Sequence, residues 1–242
     1  MASPARTPSA LLARLVAADP GRPRITVYDD TDGPTRGERV ELSARVLANW
    51  VAKAGNLLQD ELDAGPGTVV RLDLPPHWRT LYWAFAAWSV GACVEVADDG
   101  AEPSGPVDVV VTDDPTRAGG VEHVVVVTLA ALARRAVVDL PPGALDEAHD
   151  LATHGDVLTP WDEPDPADPA LRTGDGETAF GDLVPDEART GRIHTATTSS
   201  AELLRLALAV WAADGSLVLT RGTPQPDALA ARLASEGVTD QA

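Results

Sequence analysis

Residues that could carry chemistry occur along the chain, but the sequence completes none of the common catalytic or ligand-binding patterns. His149 and His154 lie five residues apart among acidic side chains, which would allow a metal site, although a solvated helix end is the simpler interpretation. Ser199 and Ser200 precede a helix-like stretch, and without a G-x-S-x-G motif they are interpreted as helix caps. The chain has no GxGxxG, GxxxxGK(S/T) or CxxC motif, so no catalytic residue and no metal site is predicted.

Three aromatic side chains are the candidates for contact with a ligand or a partner. His77 follows Pro75-Pro76 at the predicted start of a helix, where it could face the mouth of a sheet, although a cap or packed residue is the simpler interpretation. Trp78 beside it is the best candidate for the wall of a possible cleft. Trp161 lies in an acidic, proline-rich stretch and is the best candidate for contact with a partner protein.

The composition excludes some partners and favours a cytoplasmic location. A net charge of −18 over 242 residues argues against binding to nucleic acid or to an anionic membrane surface. Cys93 is the single cysteine, and its apolar neighbours favour a buried thiol in a reducing compartment. No run approaches the roughly 18 apolar residues of a membrane span, and MASPARTPSA at the start lacks an apolar leader, which predicts a soluble cytoplasmic protein. Lys53, the only lysine, is interpreted as a solvated charge.

The central stretch of the chain predicts a βαβ unit. Residues 68–74 are rich in β-formers and end at a proline pair, residues 77–90 carry apolar side chains at helical spacing, and residues 92–97 form a second short strand. Such a unit makes parallel sheets. VDVVVT (107–112) and HVVVVT (123–128) are continuous apolar runs, which are typical of buried parallel strands. The predicted fold class is therefore α/β, a layered parallel or mixed sheet flanked by helices.

Four segments follow from these patterns. Residues 1–7 are predicted to be a disordered tail, 8–154 an α/β core, 155–191 an acidic proline-rich loop, and 192–242 a second α/β segment packed on the same domain. Within the core, residues 24–42 are predicted to form a hairpin, Ser43 to cap a helix that runs to about Leu62, and residues 129–135 to form another helix. Between 140 and 188 there are 13 acidic residues and one basic residue, and four prolines predict that the loop has no regular structure.

The order of these elements resembles the large N-terminal domain of adenylate-forming enzymes, the superfamily of acyl-CoA synthetases, peptide-synthetase adenylation domains and luciferases. The similarity covers most of the chain and is closest to a shortened bacterial group of such proteins. It is carried by four stretches: ELSARVLANWVAKAGNLL (41–58), GPGTVVRLDLPPHWRTLYWAFAAWSVGACVEVAD (65–98), VDVVVTDD (107–114) and WAADGSLVLTRGTPQPDALAARLASEGVT (211–239).

The resemblance also implies where a nucleotide would bind. Family members hold ATP phosphates with a loop of the form TSGTTGxPKG, whose backbone N–H groups and lysine surround the phosphates. The corresponding stretch here is RTGDGETAFGDL (172–183), which retains part of the pattern, at Thr173, Gly174, Gly176 and Thr178. The lysine is missing, and Asp175 and Glu177 place two negative charges beside the expected phosphate position.

The family's adenine, ribose and Mg²⁺ motifs, and its mobile C-terminal domain with a catalytic lysine, lie beyond the part that this sequence matches. The resemblance therefore implies a non-catalytic remnant of an adenylate-forming enzyme, with no cofactor, that acts as a scaffold for an unknown partner protein or small ligand. The alternative is residual nucleotide or acyl-adenylate binding or ligase activity, with ATP or AMP and Mg²⁺, in this chain or as one part of a split enzyme.

Overall fold

The computed structural model describes residues 7–96 and 105–242. The predicted disordered tail therefore falls outside the described residues except for Thr7, whose side chain accepts a hydrogen bond from the Ala10 amide and caps the first helix. Among the described residues, none of the helices has the length and apolar character needed to cross a membrane.

The helices are α1 Pro8–Ala18, α2 Ala44–Leu62, α3 Trp78–Ser89, α4 Glu147–Asp150, α5 Ser200–Ala212 and α6 Pro226–Ser235. The strands are β1 Pro23–Asp30, β2 Arg39–Ser43, β3 Val69–Asp73, β4 Cys93–Val96, β5 Val109–Thr112, β6 His123–Val126, β7 Leu145–Asp146, β8 Pro169–Thr173, β9 Gly176–Ala179, β10 Arg192–Thr195, β11 Ser216–Gly222 and β12 Asp240–Gln241.

These strands form two mixed, largely parallel sheets, which confirms the predicted fold class. The first has seven strands in the order β7-β6-β5-β3-β4-β8-β9, and only the β8–β9 pair is antiparallel. The second has five strands in the order β12-β10-β11-β1-β2, and only the predicted β1–β2 hairpin is antiparallel. The predicted βαβ unit is confirmed, since β3 and β4 lie parallel and α3 connects them.

Helix α3 is the centre of the hydrophobic core. Every residue from Trp78 to Trp88 is buried, and the helix packs on α1, α2 and α5 as well as on strands of both sheets. Phe85 lies with its ring centroid 5.1 Å from that of Trp211 on α5 and 5.3 Å from that of Trp88. This explains why the apolar surface of α3 is wider than one stripe, because the helix is covered on several sides.

Two predictions of local structure are wrong. Residues 129–135 form turns instead of a helix. The prolines of 155–191 do not exclude regular structure throughout, because β8 and β9 form a hairpin at the edge of the seven-stranded sheet. Pro169 is tolerated as the first residue of β8. Leu171 and Arg172 pair with β4, and the Ala170 carbonyl accepts a hydrogen bond from the Trp88 indole at 2.8 Å.

Glu236 joins the end of α6 to the five-stranded sheet. Its Oε1 accepts hydrogen bonds from the Tyr28 hydroxyl at 2.5 Å and from Arg39 Nη2 at 2.8 Å, and its Oε2 accepts one from Arg192. Burial alone would raise the pKa of Glu236, but the hydrogen bonds from Tyr28, Arg192 and Arg39 outweigh it and lower the pKa to about 2.

The hydrogen bonds of Glu236 predict that the free energy of unfolding decreases in acid. Because the pKa of Glu236 falls on folding from 4.5 to about 2, its contribution is complete above pH 4.5 and disappears as the pH falls towards 2. In urea denaturation, a Glu236→Gln variant should therefore unfold more easily than the native chain at neutral pH, and the difference should shrink across that window. Glu187→Gln, an exposed carboxylate outside the network, is the control. A Glu236→Gln difference that stays constant with pH would contradict the assignment.

Candidate functional site

The four residues that resemble a phosphate loop lie on one hairpin. Thr173 ends β8 and pairs with Gly176 at the start of β9, so that Gly174 and Asp175 form a two-residue turn. Gly176 has a φ of +127°, which glycine adopts more readily than other residues. Thr178 lies further along β9, paired with Leu171. The structure thus brings these residues together, but three of the four belong to strands.

Both arginines near the tip of this hairpin are paired with carboxylates. Arg172 Nε donates to Glu177 at 2.8 Å across the β8–β9 pair, and this hydrogen bond is the main cause that raises the pKa of Arg172. Arg205 of α5 donates to the Thr173 hydroxyl at 2.9 Å and contacts the Asp175 carboxylate at 3.3 Å. Arg205 is 30 residues from Asp175 in the chain, and no signal in the loop sequence points to it.

A cavity of about 270 Å³ lies between the hairpin and α5. Its lining combines Arg205 with two carboxylates, Asp175 and Glu202. Ser199 caps α5 by accepting a hydrogen bond from the Glu202 amide at 3.1 Å, as the sequence predicted. The Ser200 hydroxyl donates to the Leu74 carbonyl at 2.8 Å, so it ties α5 to the end of β3 instead of capping the helix.

His77 and Trp78 lie in the interior, each about 2% exposed. His77 caps α3, because its Nδ1 accepts a hydrogen bond from the Arg79 amide at 3.3 Å. Burial, followed by the nearby charges of Arg221 and Arg79, lowers the pKa of His77 well below its usual value and keeps the ring neutral. Trp78 packs among Trp50, Tyr82 and the Arg79 guanidinium. Both side chains are therefore packed against other described residues.

A buried ion pair attaches α4 to α3. Arg79 Nη1 lies 2.5 Å from Glu147 Oε1, the Tyr82 hydroxyl donates to the same carboxylate, and Arg79 Nη2 donates to the Ala130 carbonyl at 3.0 Å. The Arg79 and Glu147 side chains are 2% and 0% exposed. This cluster was not predicted from the sequence, although an arginine inside a helix with a wide apolar surface indicates a buried partner.

Residues 154–161 lie along α2 and are held by three of its polar side chains; we call this segment the 154–161 strap. Lys53 Nζ donates to the His154 carbonyl at 2.5 Å and forms an ion pair with Asp156 at 2.9 Å. Asn56 Nδ2 donates to the carbonyls of Gly155 and Val157, both at 3.0 Å. The interpretation of Lys53 as a solvated charge is therefore wrong.

Gln59 completes this attachment at the position of Trp161. Its Nε2 donates to the Thr159 carbonyl at 3.2 Å, and its Oε1 accepts a hydrogen bond from the Trp161 amide at 3.0 Å. The backbone of Trp161 is thereby fixed while its side chain is 60% exposed, and Val157 is 79% exposed. The strap holds two apolar side chains in solvent, as a contact surface would require.

Removing the Gln59 amide should loosen the strap. Gln59 is 3% exposed and makes two part-buried hydrogen bonds to the strap, one to the Thr159 carbonyl and one from the Trp161 amide. Gln59→Ala removes both, a loss of about 0.5–1.5 kcal/mol for each. We expect faster amide hydrogen exchange across 154–161, measured by mass spectrometry of the full chain. Glu61→Ala, an exposed position of the same helix, should leave the exchange unchanged. Equal exchange in both variants would show that Gln59 does not hold the strap.

Other candidate residues are engaged locally. His149 Nδ1 lies 2.7 Å from Asp150 Oδ1, and His154 Nδ1 lies 3.9 Å from Asp60. Within residues 7–96 and 105–242, no three histidine, cysteine, aspartate or glutamate side chains are grouped so that they could hold a metal ion. Cys93 is buried as predicted, and burial raises the pKa of its thiol to about 11. A thiol with this pKa is a poor nucleophile at neutral pH.

Solved structures of adenylate-forming enzymes superpose on this chain. The acyl-CoA synthetase of Brucella canis superposes with a TM-score of 0.70 at 16% identity, over 96% of this chain and 46% of that one. Acetoacetyl-CoA synthetase from Streptomyces lividans gives a TM-score of 0.71 at 15% identity, over 97% and 42%. The nonribosomal peptide synthetase FmoA3 gives 0.67 at 18% identity, over 96% and 25%. This chain spans less than half the length of each.

A full-length relative shows the family directly. No protein-family profile matches the chain. A Mycobacterium tuberculosis (strain ATCC 25618 / H37Rv) protein described as "TIGR03089 family protein" is 37% identical over 253 aligned positions, which cover 99% of both chains. The chain therefore belongs to the TIGR03089 family, and its fold is that of part of the N-terminal domain of adenylate-forming enzymes.

Proposed function

We propose that this protein is a non-catalytic member of the adenylate-forming fold that acts as a binding scaffold. The observation that carries the proposal is the pairing of charged side chains at the β8–β9 hairpin. Asp175 and Glu177 lie in the stretch that resembles a phosphate loop, where Asp175 pairs with Arg205 and Glu177 pairs with Arg172. A triphosphate placed there would meet carboxylates whose neighbouring arginines are already paired.

The size of the electrostatic penalty supports this proposal. Two like charges about 4 Å apart repel by roughly 1 kcal/mol in water and by several times that value when they are desolvated. To recruit Arg205 or Arg172, a phosphate would first have to break an existing ion pair and leave Asp175 or Glu177 unpaired beside it. A two-residue turn also offers few backbone N–H groups for an anion. The residues present therefore fit ATP phosphates poorly.

Pyrophosphate release tests the catalytic part of the proposal. The purified chain is incubated with ATP and Mg²⁺ and with acetate, acetoacetate, a long-chain fatty acid or an amino acid. We expect no release above the rate without protein. A Thr173→Ala variant and a Thr116→Ala control show whether any signal depends on the hairpin. Release that persists in Thr116→Ala and disappears in Thr173→Ala would contradict the proposal.

One observation favours the alternative of residual nucleotide or acyl-adenylate binding. The cavity beside the hairpin lies at the N-terminal end of α5 and includes Arg205, and helix N-termini attract anions. Under this alternative the chain would keep a weak site or would be completed by another chain of a split enzyme. Pyrophosphate release that appears only when a co-purifying chain is added back would establish that the chain is one part of a split enzyme.

A further inference from the structure

A second cavity, outside the hairpin, lies beside the 154–161 strap. It has a volume of 280 Å³ and opens between the end of α3, the start of α1, and residues 160–166 and 180–181. We call it the proline cavity. Trp88, Phe180, Pro160 and Pro164 contribute to its apolar wall, and Asp162 and Glu163 are its two charged residues. This combination of an apolar wall and a few polar groups is typical of binding sites.

The two carboxylates of the proline cavity are unpaired. Neither Asp162 nor Glu163 has a hydrogen-bond or ion-pair partner within the described ranges 7–96 and 105–242, and both are exposed. Asp175 and Glu177 at the hairpin, by contrast, each contact an arginine. Among the described residues that line the cavity, none is basic. Its charge therefore favours a cation and opposes phosphates and carboxylates.

The walls of the proline cavity are held in place without a ligand. The Gly181 amide donates to the Pro166 carbonyl at 2.8 Å, and the Asp165 amide donates to Asp168 Oδ2 at 2.8 Å. The Trp88 indole is fixed by its hydrogen bond to Ala170. A preformed site loses less entropy when it binds, which favours a specific occupant.

The size and surroundings of the cavity indicate what that occupant is. At 280 Å³ the cavity is just below the range of about 300–1,000 Å³ for drug-sized ligands, so one long side chain fits it better than a nucleotide. Trp161 lies in the chain between two lining residues and is 60% exposed. The apolar surface thus continues outside the cavity, which suits a peptide segment better than a small amine.

We propose that the proline cavity receives an arginine or lysine side chain from a partner protein, and that an adjacent apolar side chain of the same segment contacts Trp161. The inference rests on the proposed scaffold role and names the chemistry of its partner. The cation pairs with Asp162 and Glu163, the aliphatic part of its side chain packs on Trp88 and Phe180, and the neighbouring residue covers the indole of Trp161.

Three short alkyl probes of different charge test the cavity. The ¹⁵N-labelled full chain is titrated with butylguanidinium, butanol and butanoate while amide shifts are followed by NMR. We expect butylguanidinium to shift the amides of Ser89, Glu163 and Gly181 and to bind at least about tenfold more tightly than butanoate, a difference of about 1.4 kcal/mol. Equal binding of the three probes, or no shifts at these amides, would overturn the proposal.

Matched variants separate the local charge from the net charge. Asp162→Asn combined with Glu163→Gln should abolish the preference for butylguanidinium. Glu61→Gln combined with Glu122→Gln removes two exposed carboxylates elsewhere and should preserve it. A preference that survives the first pair, or is lost equally in both, would assign the effect to the overall charge of −18 and overturn the site.

A peptide distinguishes a partner segment from a small cation. Acetyl-Gly-Arg-Leu-Gly-amide should bind more tightly than butylguanidinium, and Trp161→Ala should weaken the peptide without changing the smaller probe. A peptide that binds no more tightly would make the cavity a site for small cations and overturn the partner assignment. If the peptide test fails, the proposal that the chain does not catalyse adenylation is unaffected, because pyrophosphate release tests it independently. The two proposals can therefore fail separately.

Discussion

Replacing Glu147 by alanine is expected to lower the free energy of unfolding by about 3–5 kcal/mol, the range for removing one partner of a buried ion pair. The Glu147 carboxylate accepts hydrogen bonds from Arg79 and Tyr82, and its side chain is fully buried. Without it, the Arg79 guanidinium keeps its charge among Trp78 and Trp50 with no counter-ion at that position. Urea denaturation followed by tryptophan fluorescence measures the change.

Two controls make this prediction specific. Arg36→Ala breaks an exposed ion pair with Asp32, and such pairs contribute at most about 1 kcal/mol. A double variant, Arg79→Met with Glu147→Leu, replaces the whole pair by apolar side chains and should be more stable than Glu147→Ala, because no buried charge is left alone. A loss below about 1 kcal/mol in Glu147→Ala would show that water or another group compensates Arg79.

The Gly222→Ala substitution is expected to destabilise the fold by about 2–4 kcal/mol, because backbone strain and overpacking act together. Gly222 ends β11 with a φ of +77°, which is unfavourable for residues with a Cβ. A Cβ there would lie 2.5 Å from the Asp30 carbonyl carbon and 2.7 Å from the Thr31 amide nitrogen. Both neighbours are backbone atoms of the paired strand β1 and its continuation, so they cannot turn away as a flexible side chain could.

Gly174→Ala is the matched control for this prediction. A Cβ on Gly174 would have no atom within 4 Å, and its φ lies outside the left-handed region. Thermal and urea unfolding of Gly174→Ala should therefore differ from the native chain by less than about 0.5 kcal/mol, as surface substitutions usually do. If the two alanine variants lost stability equally, the close approach of β11 to β1 at Gly222 would be wrong.

The elements that could be predicted from the sequence are those specified by neighbouring residues. Ser43 caps α2 through a hydrogen bond from the Val46 amide, and α2 ends at Leu62 as expected. Gly91 follows α3 with a φ of +86°, the left-handed conformation expected just after a helix. The apolar pattern of α3 and the runs around β5 and β6 identified the core and the parallel sheet. In each case, the residues that predict the element lie within one short continuous stretch of the chain.

The parts that could not be predicted depend on contacts between distant residues. Lys53, Asn56 and Gln59 bind strap residues that are 99 to 102 positions away in the chain. Their polar character is equally compatible with a solvated helix face and with a face that binds another segment, so the local pattern could not distinguish these alternatives. The same holds for the β8–β9 hairpin, because β8 has only Ala170 and Leu171 as buried apolar residues and its pairing with β4 joins segments far apart in the chain.

Calorimetric titration of the purified chain with ATP and with AMP, each with and without Mg²⁺, tests the central claim most directly. The paired arginines and acidic tip of the β8–β9 hairpin predict no saturable heat for either nucleotide. Binding tighter than about 100 μM, a free energy of roughly −5.5 kcal/mol, would contradict the account if it required Mg²⁺ and disappeared in Thr173→Ala. The residues resembling a phosphate loop would then form a working nucleotide site.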